Sequence, residues 1–528
     1  VSQPSSANRQ IARAAGTVMF ALVISQLFGL ARNIILAATF PAATALDPYL
    51  AANRVAETLF LLVAGGALGS AFIPAFTGLL VRDERDSAWR LASGVGNLVT
   101  VALSLLAFVA AIFAPQIVRY VLAPGFADQP ELFGTTVELL RIQLASAVIF
   151  GVSGLVMGIL NAHQVFLVPA LAPSMYSIGI IVGALVLAPF MGVRGLAWGV
   201  VLGASLHLLI QIPSLLRLKG EYFRTVGWSN PAVREVIRLM LPRLLGVAVV
   251  QINFWVNIRL ASRMPAGSVT ALSYAFALML MAQAVIAQSV ATAAMPTFSA
   301  QFALGRLDEM RGSLAAALRG VLLLSVPASL GLILLREPLV EMLWQRGAFT
   351  SRTAEMTAWA LLWFAAGLVG HSVLEVLSRA FYAMHDTRTP VLVGAGAMGL
   401  NVLFSVTFSL WFARIGWMPL GGLALANSLA TALEATLLFT LVRRRMAGIH
   451  ESEVTRGFAQ AALATLAMSL ALVWWNQAAA QMGALAISLG GLVLGAMVYA
   501  GAALALRIPE VWLVVNLARQ RFGRAKKT

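Results

Sequence analysis

Cysteine is absent from the 528 residues, so the chain has no disulfide framework, iron–sulfur cluster or thiolate zinc site. Charge is scarce too. Charged residues make up 11% of the chain, against about a quarter in a soluble domain. This excludes a soluble multidomain enzyme and a disordered chain. The five histidines, His163, His207, His371, His385 and His450, show no metal-ligand spacing. No Gly-rich loop ending in Lys-Ser/Thr is present, which excludes ATP hydrolysis by this chain. No loop clusters the carboxylates or histidines that a membrane glycosyltransferase or phosphatase needs. The expectation is therefore no metal, no cofactor and no enzymatic reaction.

What is there is apolar. Hydrophobic residues are 60% of the chain and the mean hydropathy is +0.86. The fold class is an all-α polytopic membrane protein. A β-barrel is excluded, because barrels need alternating segments of about ten residues and these runs are long and continuous. Fourteen spans are expected, at 15–38, 48–81, 88–113, 135–160, 168–190, 194–217, 236–258, 270–299, 314–336, 354–383, 390–413, 419–443, 456–475 and 482–506. Val1–Gln10 is polar and the first apolar run is long, so no signal peptide is expected. The net charge of +16 reflects topology rather than nucleic-acid binding. Segments on the side of the N-terminus hold 25 Arg and Lys residues, those on the other side hold 8, and four lie within spans. By the positive-inside rule both termini are cytoplasmic.

The chain also repeats itself. Ser25-Gln26 answers Val250-Gln251, and Ala71-Phe72-Ile73-Pro74 answers Ala294-Met295-Pro296. Gly125-Phe126 answers Gly347-Ala348-Phe349, and Gly195-Leu196-Ala197 answers Gly422-Leu423-Ala424. The offset is 222 to 227 residues and spans six helices, so the two six-helix repeats run parallel. The expected organisation is an N-terminal lobe at 1–217, a linker at 218–235 and a second lobe at 236–445. Residues 446–528 add two further helices and a basic tail. The linker carries basic residues with Tyr222, Phe223 and Trp228 interleaved, a pattern suited to an anionic lipid surface.

Several motifs are similar to one family. Gly29-Leu30-Ala31-Arg32, Leu46-Asp47, Gly66-Ala67 and Ala71-Phe72-Ile73-Pro74 resemble the start of the MurJ (MviN) proteins. So do Ala123-Pro124-Gly125-Phe126-Ala127-Asp128, Gly158-Ile159-Leu160-Asn161, Pro169-Ala170 with Ala172-Pro173, and Ala380-Phe381-Tyr382 with Asp386-Thr387-Arg388-Thr389-Pro390. The resemblance covers nearly the whole chain. It implies a MOP-superfamily exporter that flips lipid II, the undecaprenyl-diphosphate-linked peptidoglycan precursor. It also implies the bacterial inner membrane, a lipid-linked glycan substrate, a monomer, and cell-wall synthesis enzymes as partners. It leaves room for a coupling monovalent cation or for the membrane potential as the driving force.

A flippase makes and breaks no covalent bond. It needs a polar cavity, and for a diphosphate it needs arginine, whose fork of donors matches phosphate oxygens. A guanidinium inside a span costs at least about 2.5 to 3.5 kcal/mol, so such positions are functional candidates. Arg32 and Arg54 match basic positions of the family. Asp47 is a candidate for pairing with Arg32 or for gating, or is simply a helix-start aspartate. Glu57 is placed to pair with Arg54 at i,i+3. The family's usual arginine six residues before Arg32 is Gln26 here, and its following aspartate is Asn33. Its arginine pair in span two is Phe60 and Leu61, and its span-eight arginine is Ala277. Arg243 and Arg259 of span seven are extra basic residues. Gln251, Asn253, Asn257 and Asn401 are a candidate cation site through amide oxygens, or interhelical hydrogen bonds. Glu375 and Glu434 add carboxylates to the second half. The alternative function is an ion-coupled exporter of another lipid or a small cationic solute, and a third is a non-transporting scaffold for cell-wall enzymes. The topology gives the first prediction. Reporter fusions at Thr528 should read as cytoplasmic, and fusions near Asp128 and Gln477 as external. An external C-terminus would refute an even span count.

Overall fold

The computed structural model describes residues 4–62 and 71–512, with all side chains there except those of 4–20, 22, 242, 243, 245 and 246. Every regular element among the described residues is helical. The first eleven are α1 Pro4–Thr39, α2 Asp47–Phe60, α3 Ile73–Val81, α4 Arg85–Ile112, α5 Ala114–Gln116, α6 Pro130–Ala162, α7 Leu167–Val182, α8 Ala188–Met191, α9 Val193–Leu209, α10 Ile212–Arg217 and α11 Pro231–Ala261. Ten follow: α12 Ser268–Gln283, α13 Ser289–Ala303, α14 Leu307–Leu334, α15 Arg336–Trp344, α16 Ser351–Ala366, α17 Leu368–Ala383, α18 Arg388–Arg414, α19 Leu420–Arg445, α20 Glu451–Ala478 and α21 Ala484–Ala505.

Each expected apolar run falls on helix where it is described. Among the described residues ten helices are long and apolar enough to cross a membrane, or up to twelve if each bent pair is one span. The difference from fourteen has local causes. α1 and α2 meet at a 115° bend across Phe40 and Pro41. Residues 63–70 of the second run lie outside the described residues. In α11 the described apolar stretch is Val247–Ala261, and the side chains of 242, 243, 245 and 246 before it lie outside the described residues.

Packing divides the chain into two compact units. The first is Val1–Thr270 with Arg346–Thr350, and the second is Ala271–Gln345 with Ser351–Thr528. This division differs from the expected lobe boundary near residue 235. α11 packs into the first unit, where Val233, Val236 and Met240 join the core of Phe72, Phe76, Leu91, Val95 and Leu103. α4 shows why this is a membrane fold. It buries Leu91, Val95, Val99 and Leu103 along one face and turns Val101, Leu105 and Phe108 outward. An outward apolar face suits lipid, where association rests on close packing rather than on hiding apolar surface. α7 and α9 accordingly cross backbone to backbone, Gly179 against Gly203 and Gly183 against Gly199.

In the second unit, Phe298, Leu314, Leu318, Val376, Phe381 and Leu438 form the core. The last two helices lean on α14 and α15 through Leu335, Leu339, Met468 and Leu472. Asn476 Nδ2 donates to Leu334 O at 3.0 Å, and Tyr499 Oη donates to Leu323 O at 2.5 Å. The Asp386-Thr387-Arg388-Thr389-Pro390 run starts α18. Asp386 accepts from Thr389 N at 3.0 Å, Arg388 N at 3.1 Å and Thr389 Oγ1 at 2.7 Å. These donors, Thr389 foremost, and the Arg445 guanidinium hold its carboxyl below the usual carboxylate range.

The turns recur with the repeat. Left-handed residues stand at Asp83 and Gly305, Gln164 and His385, Gly192 and Gly416, and Lys219 and Ala447, at offsets of 222, 221, 224 and 228. The loops at Gly125 and Gly347, 222 apart, do something further. Gly125 N donates to Ser262 Oγ at 3.2 Å, just past the end of α11, and an added Cβ would lie 2.0 Å from Ser262 O. Gly347, at φ 60°, sits against the end of α1. Its added Cβ would lie 2.1 Å from Ala38 O, and Ala348 N donates to that oxygen at 3.0 Å. Each repeat thus lends a loop to the first helix of the other, and both contacts fall within the first compact unit. Overpacking against backbone costs about 1–3 kcal/mol. Gly125→Ala and Gly347→Ala should each lower the apparent Tm in detergent, Gly347→Ala more because of its positive φ. Gly320→Ala on α14, with nothing within 4 Å of the added Cβ, should not. Equal melting of all three would mean the loops have room to move.

Candidate functional site

The first unit carries a polar cluster on α1, α2, α7 and α11. α1 is tied to α7 by Ser25, whose Oγ lies 2.8 Å from Ser174 Oγ and donates to Ala170 O at 3.2 Å. Two turns on, Arg32 is half-buried. Its Nε and Nη2 both donate to Asn33 Oδ1 at 3.2 Å, and Cζ stands 6.0 Å from the centre of the Tyr176 ring on α7. Among the described residues Arg32 makes no ion pair. Asn33 holds the fork with a neutral amide oxygen and leaves the positive charge uncompensated.

Tyr176 Oη donates to Asn53 Oδ1 on α2 at 3.5 Å, which leads to Arg54. Arg54 pairs with Glu57 at 3.0 Å, as the i,i+3 spacing predicts, and lies 4.7 Å over the ring of Phe254 on α11. Its Nε is buried without a hydrogen-bond partner. Thr58 closes the cluster. Its hydroxyl donates to Arg54 O at 2.7 Å and accepts from Trp255 Nε1 at 2.9 Å, with Gln251 Oε1 3.4 Å away. An uncompensated guanidinium and a second with an open donor suit an anion with several oxygens.

The other sequence candidates divide. Gln26 is exposed on α1. The side chain of Arg243 lies outside the described residues. Arg259 is a tether: its Nη1 donates to Tyr120 O and lies 3.4 Å from Val121 O. Asn253 and Asn257 are buried on α11, with Asn257 Nδ2 donating to Asn253 Oδ1 at 3.5 Å. Asn401 belongs to the second unit, where its Oδ1 accepts from Ser405 at 3.1 Å. No group of three His, Asp or Glu suited to a metal occurs among the described residues. Phe60, where the family has an arginine, joins an aromatic group with Phe150 at 4.7 Å, and Phe150 contacts Tyr176 at 5.0 Å and His207 at 5.3 Å. Sequence reasoning missed Tyr176, Asn53, Phe254 and Trp255. Tyr176 carried a signal, since it stands between Ser174 and Ser177 in an apolar span. In the second unit Glu375 pairs with Arg379 at 2.9 Å, and Glu434 is buried on α19 facing Gly394.

Asp47 is not paired with Arg32. It is 2% exposed and receives the start of α12: Thr270 N at 2.7 Å and Thr270 Oγ1 at 2.6 Å on one oxygen, Gly267 N at 2.8 Å on the other. The α1–α2 corner is thereby locked to the α11–α12 corner. A carboxylate at a helix N-terminus is favoured by orphan N–H groups and the helix dipole together. Asp47→Asn keeps the shape but loses charge-assisted bonds of about 1.5 to 3 kcal/mol. It should lower the apparent Tm and raise labelling of a cysteine placed at the buried Ala45 by a water-soluble maleimide. Unchanged labelling would mean the carboxylate does not hold the corner shut.

Comparison with known proteins gives the family and the fold. The family model described as "Lipid II flippase MurJ" matches residues 36–493. The chain is 29% identical to the lipid II flippase MurJ of Burkholderia cenocepacia over 509 residues, 93% of this chain and 96% of that one. It is 29% identical to the probable lipid II flippase MurJ of Vibrio cholerae over 465 residues, 86% of each chain. The fold resembles a solved "Lipid II flippase MurJ, inward closed conformation", with TM-score 0.79, 24% identity, and 92% and 97% of the two chains covered. It also resembles an inward-facing MATE family transporter of the MOP superfamily, with TM-score 0.66, 17% identity, and 82% and 98% covered. With the family model spanning most of its length, the chain belongs to the MurJ lipid II flippase family.

Proposed function

We propose that this chain moves lipid II, a lipid-linked glycan diphosphate, from the inner to the outer leaflet of the bacterial inner membrane. The observation that carries the reading is Arg32, a guanidinium held in a fixed orientation by Asn33 and left without a counter-charge among the described residues. Arg54 adds a second guanidinium whose buried Nε has no protein partner. A diphosphate supplies oxygens for both, and a charge-assisted bond is worth about twice a neutral one. The site works by alternating exposure to the two sides, with the Asp47 corner closing one of them. We place both termini in the cytoplasm, and assign the driving force to the membrane potential or a monovalent cation. The reading of a cationic solute has less support, since Glu375 is already paired with Arg379.

The test is rescue of a bacterium depleted of its own lipid II flippase, with protein levels matched. The unaltered chain should restore growth. Loss of a charge-assisted contact of about 1.5 to 3 kcal/mol lowers binding roughly 10- to 150-fold. Arg32→Ala should therefore abolish rescue, and Arg32→Lys should restore it partly, because an ammonium lacks the fork. Full rescue by Arg32→Ala would overturn the assignment.

A further inference from the structure

The linker between α10 and α11 forms a pocket whose lining shares no residue with the Arg32 cluster. One face of α4 shapes it. Ser93 Oγ accepts from Phe223 N at 3.0 Å. Asn97 Nδ2 donates to Thr225 O at 2.8 Å and Phe223 O at 3.3 Å, and its Oδ1 accepts from Tyr222 Oη at 2.9 Å. Gly94 lets Gly227 come close: a Cβ on Gly94 would lie 3.2 Å from Gly227 Cα. Arg90, one turn before Ser93 and Gly94, stacks its guanidinium 4.4 Å over the Phe223 ring. The half-open cavity holds about 300 Å³, with Arg90 and Arg224 on its wall beside Thr225, Ser229 and Asn230.

The chemistry of that wall is one-sided. It carries two guanidinium groups, two hydroxyls and an amide, and no carboxylate. Glu221 and Glu235 flank the linker but do not line the cavity. Arg90 and Arg224 make no ion pair among the described residues. Two forks around a cavity of this size fit a phosphate group. The surroundings indicate where the phosphate comes from. Tyr222 is 69% exposed and Trp228 66%, with Val226 exposed between them. Aromatic side chains beside arginines, at the ends of two helices, mark the level of the lipid headgroups.

We propose that this pocket binds the phosphate of an anionic phospholipid in the adjoining leaflet, independently of the Arg32 site. The stack on Phe223 holds Arg90 in place before the lipid arrives, and the Asn97 bonds hold the loop, so little ordering remains to be done on binding.

The test uses the purified full chain in neutral detergent and reads the apparent Tm. Phosphatidylglycerol should raise it, while phosphatidylcholine at the same fraction, and inorganic phosphate at constant ionic strength, should not. The Arg90→Gln/Arg224→Gln variant should lose at least half of that rise. Arg82→Gln/Arg85→Gln, which removes equal charge from the exposed turn before α4, should keep it. Native mass spectrometry should find one phosphatidylglycerol fewer on the first variant than on the unaltered chain. Equal responses of the two double variants would overturn the pocket. An equal rise with inorganic phosphate would overturn the lipid as its source.

Discussion

In a hydrocarbon environment a broken helix must give its freed backbone groups new partners, because each unsatisfied group costs several kcal/mol. Four breaks in this chain meet that demand in one place. The start of α12 hands its N–H groups to Asp47. The turn Ile117–Leu122 hands the carbonyl of Tyr120 to Arg259. The end of α1 hands Ala38 O to the backbone of Ala348, and Ser262 past α11 receives Gly125 N. The corners are therefore positioned by each other's exposed ends. This explains why glycine stands at 125 and 347, where any side chain would push the two backbones apart.

The same economy governs charge. Within the membrane-spanning helices a charge is tolerated when paired, and several here are: Arg54 with Glu57, Arg379 with Glu375, Arg319 with Glu510. Against that background the exceptions stand out. Among the described residues Arg32 has a neutral amide and the Tyr176 ring beside it and no ion pair, and Arg54, though paired with Glu57, keeps one donor open. The change from the family pattern is consistent with this. Where the family resemblance implies an arginine in span two, Phe60 packs on Phe150.

The sequence made the fold class legible through run length and the repeat through its offset, since both depend on local composition. Arg54 with Glu57 was legible for the same reason: an i,i+3 pair needs only the helix. What escaped depended on contacts across the chain. Arg259 reads as a cavity cation until Tyr120, 139 residues earlier, is seen to take it. Asp47 reads as a partner for Arg32 until Thr270, 223 residues later, claims both its hydroxyl and backbone bonds. α11 opens the second repeat, yet its apolar face packs with the first unit. Periodicity shows that a face is apolar, not which neighbour covers it.

The contacts that hold the corners are also suited to breaking. Apart from the Asp47 carboxylate and the Arg259 guanidinium they are neutral, and a neutral hydrogen bond contributes about 0.5 to 1.5 kcal/mol net. A handful of such bonds with two charged anchors adds up to several kcal/mol, the range in which an equilibrium between two states responds to a ligand. A buried ion pair in the same place would cost more to separate, because each charge would be left unpaired. A carboxylate bound to backbone N–H groups and a threonine hydroxyl can exchange them for water at the membrane surface. On the proposed function, a diphosphate at Arg32 has only to shift a corner held by contacts of this size.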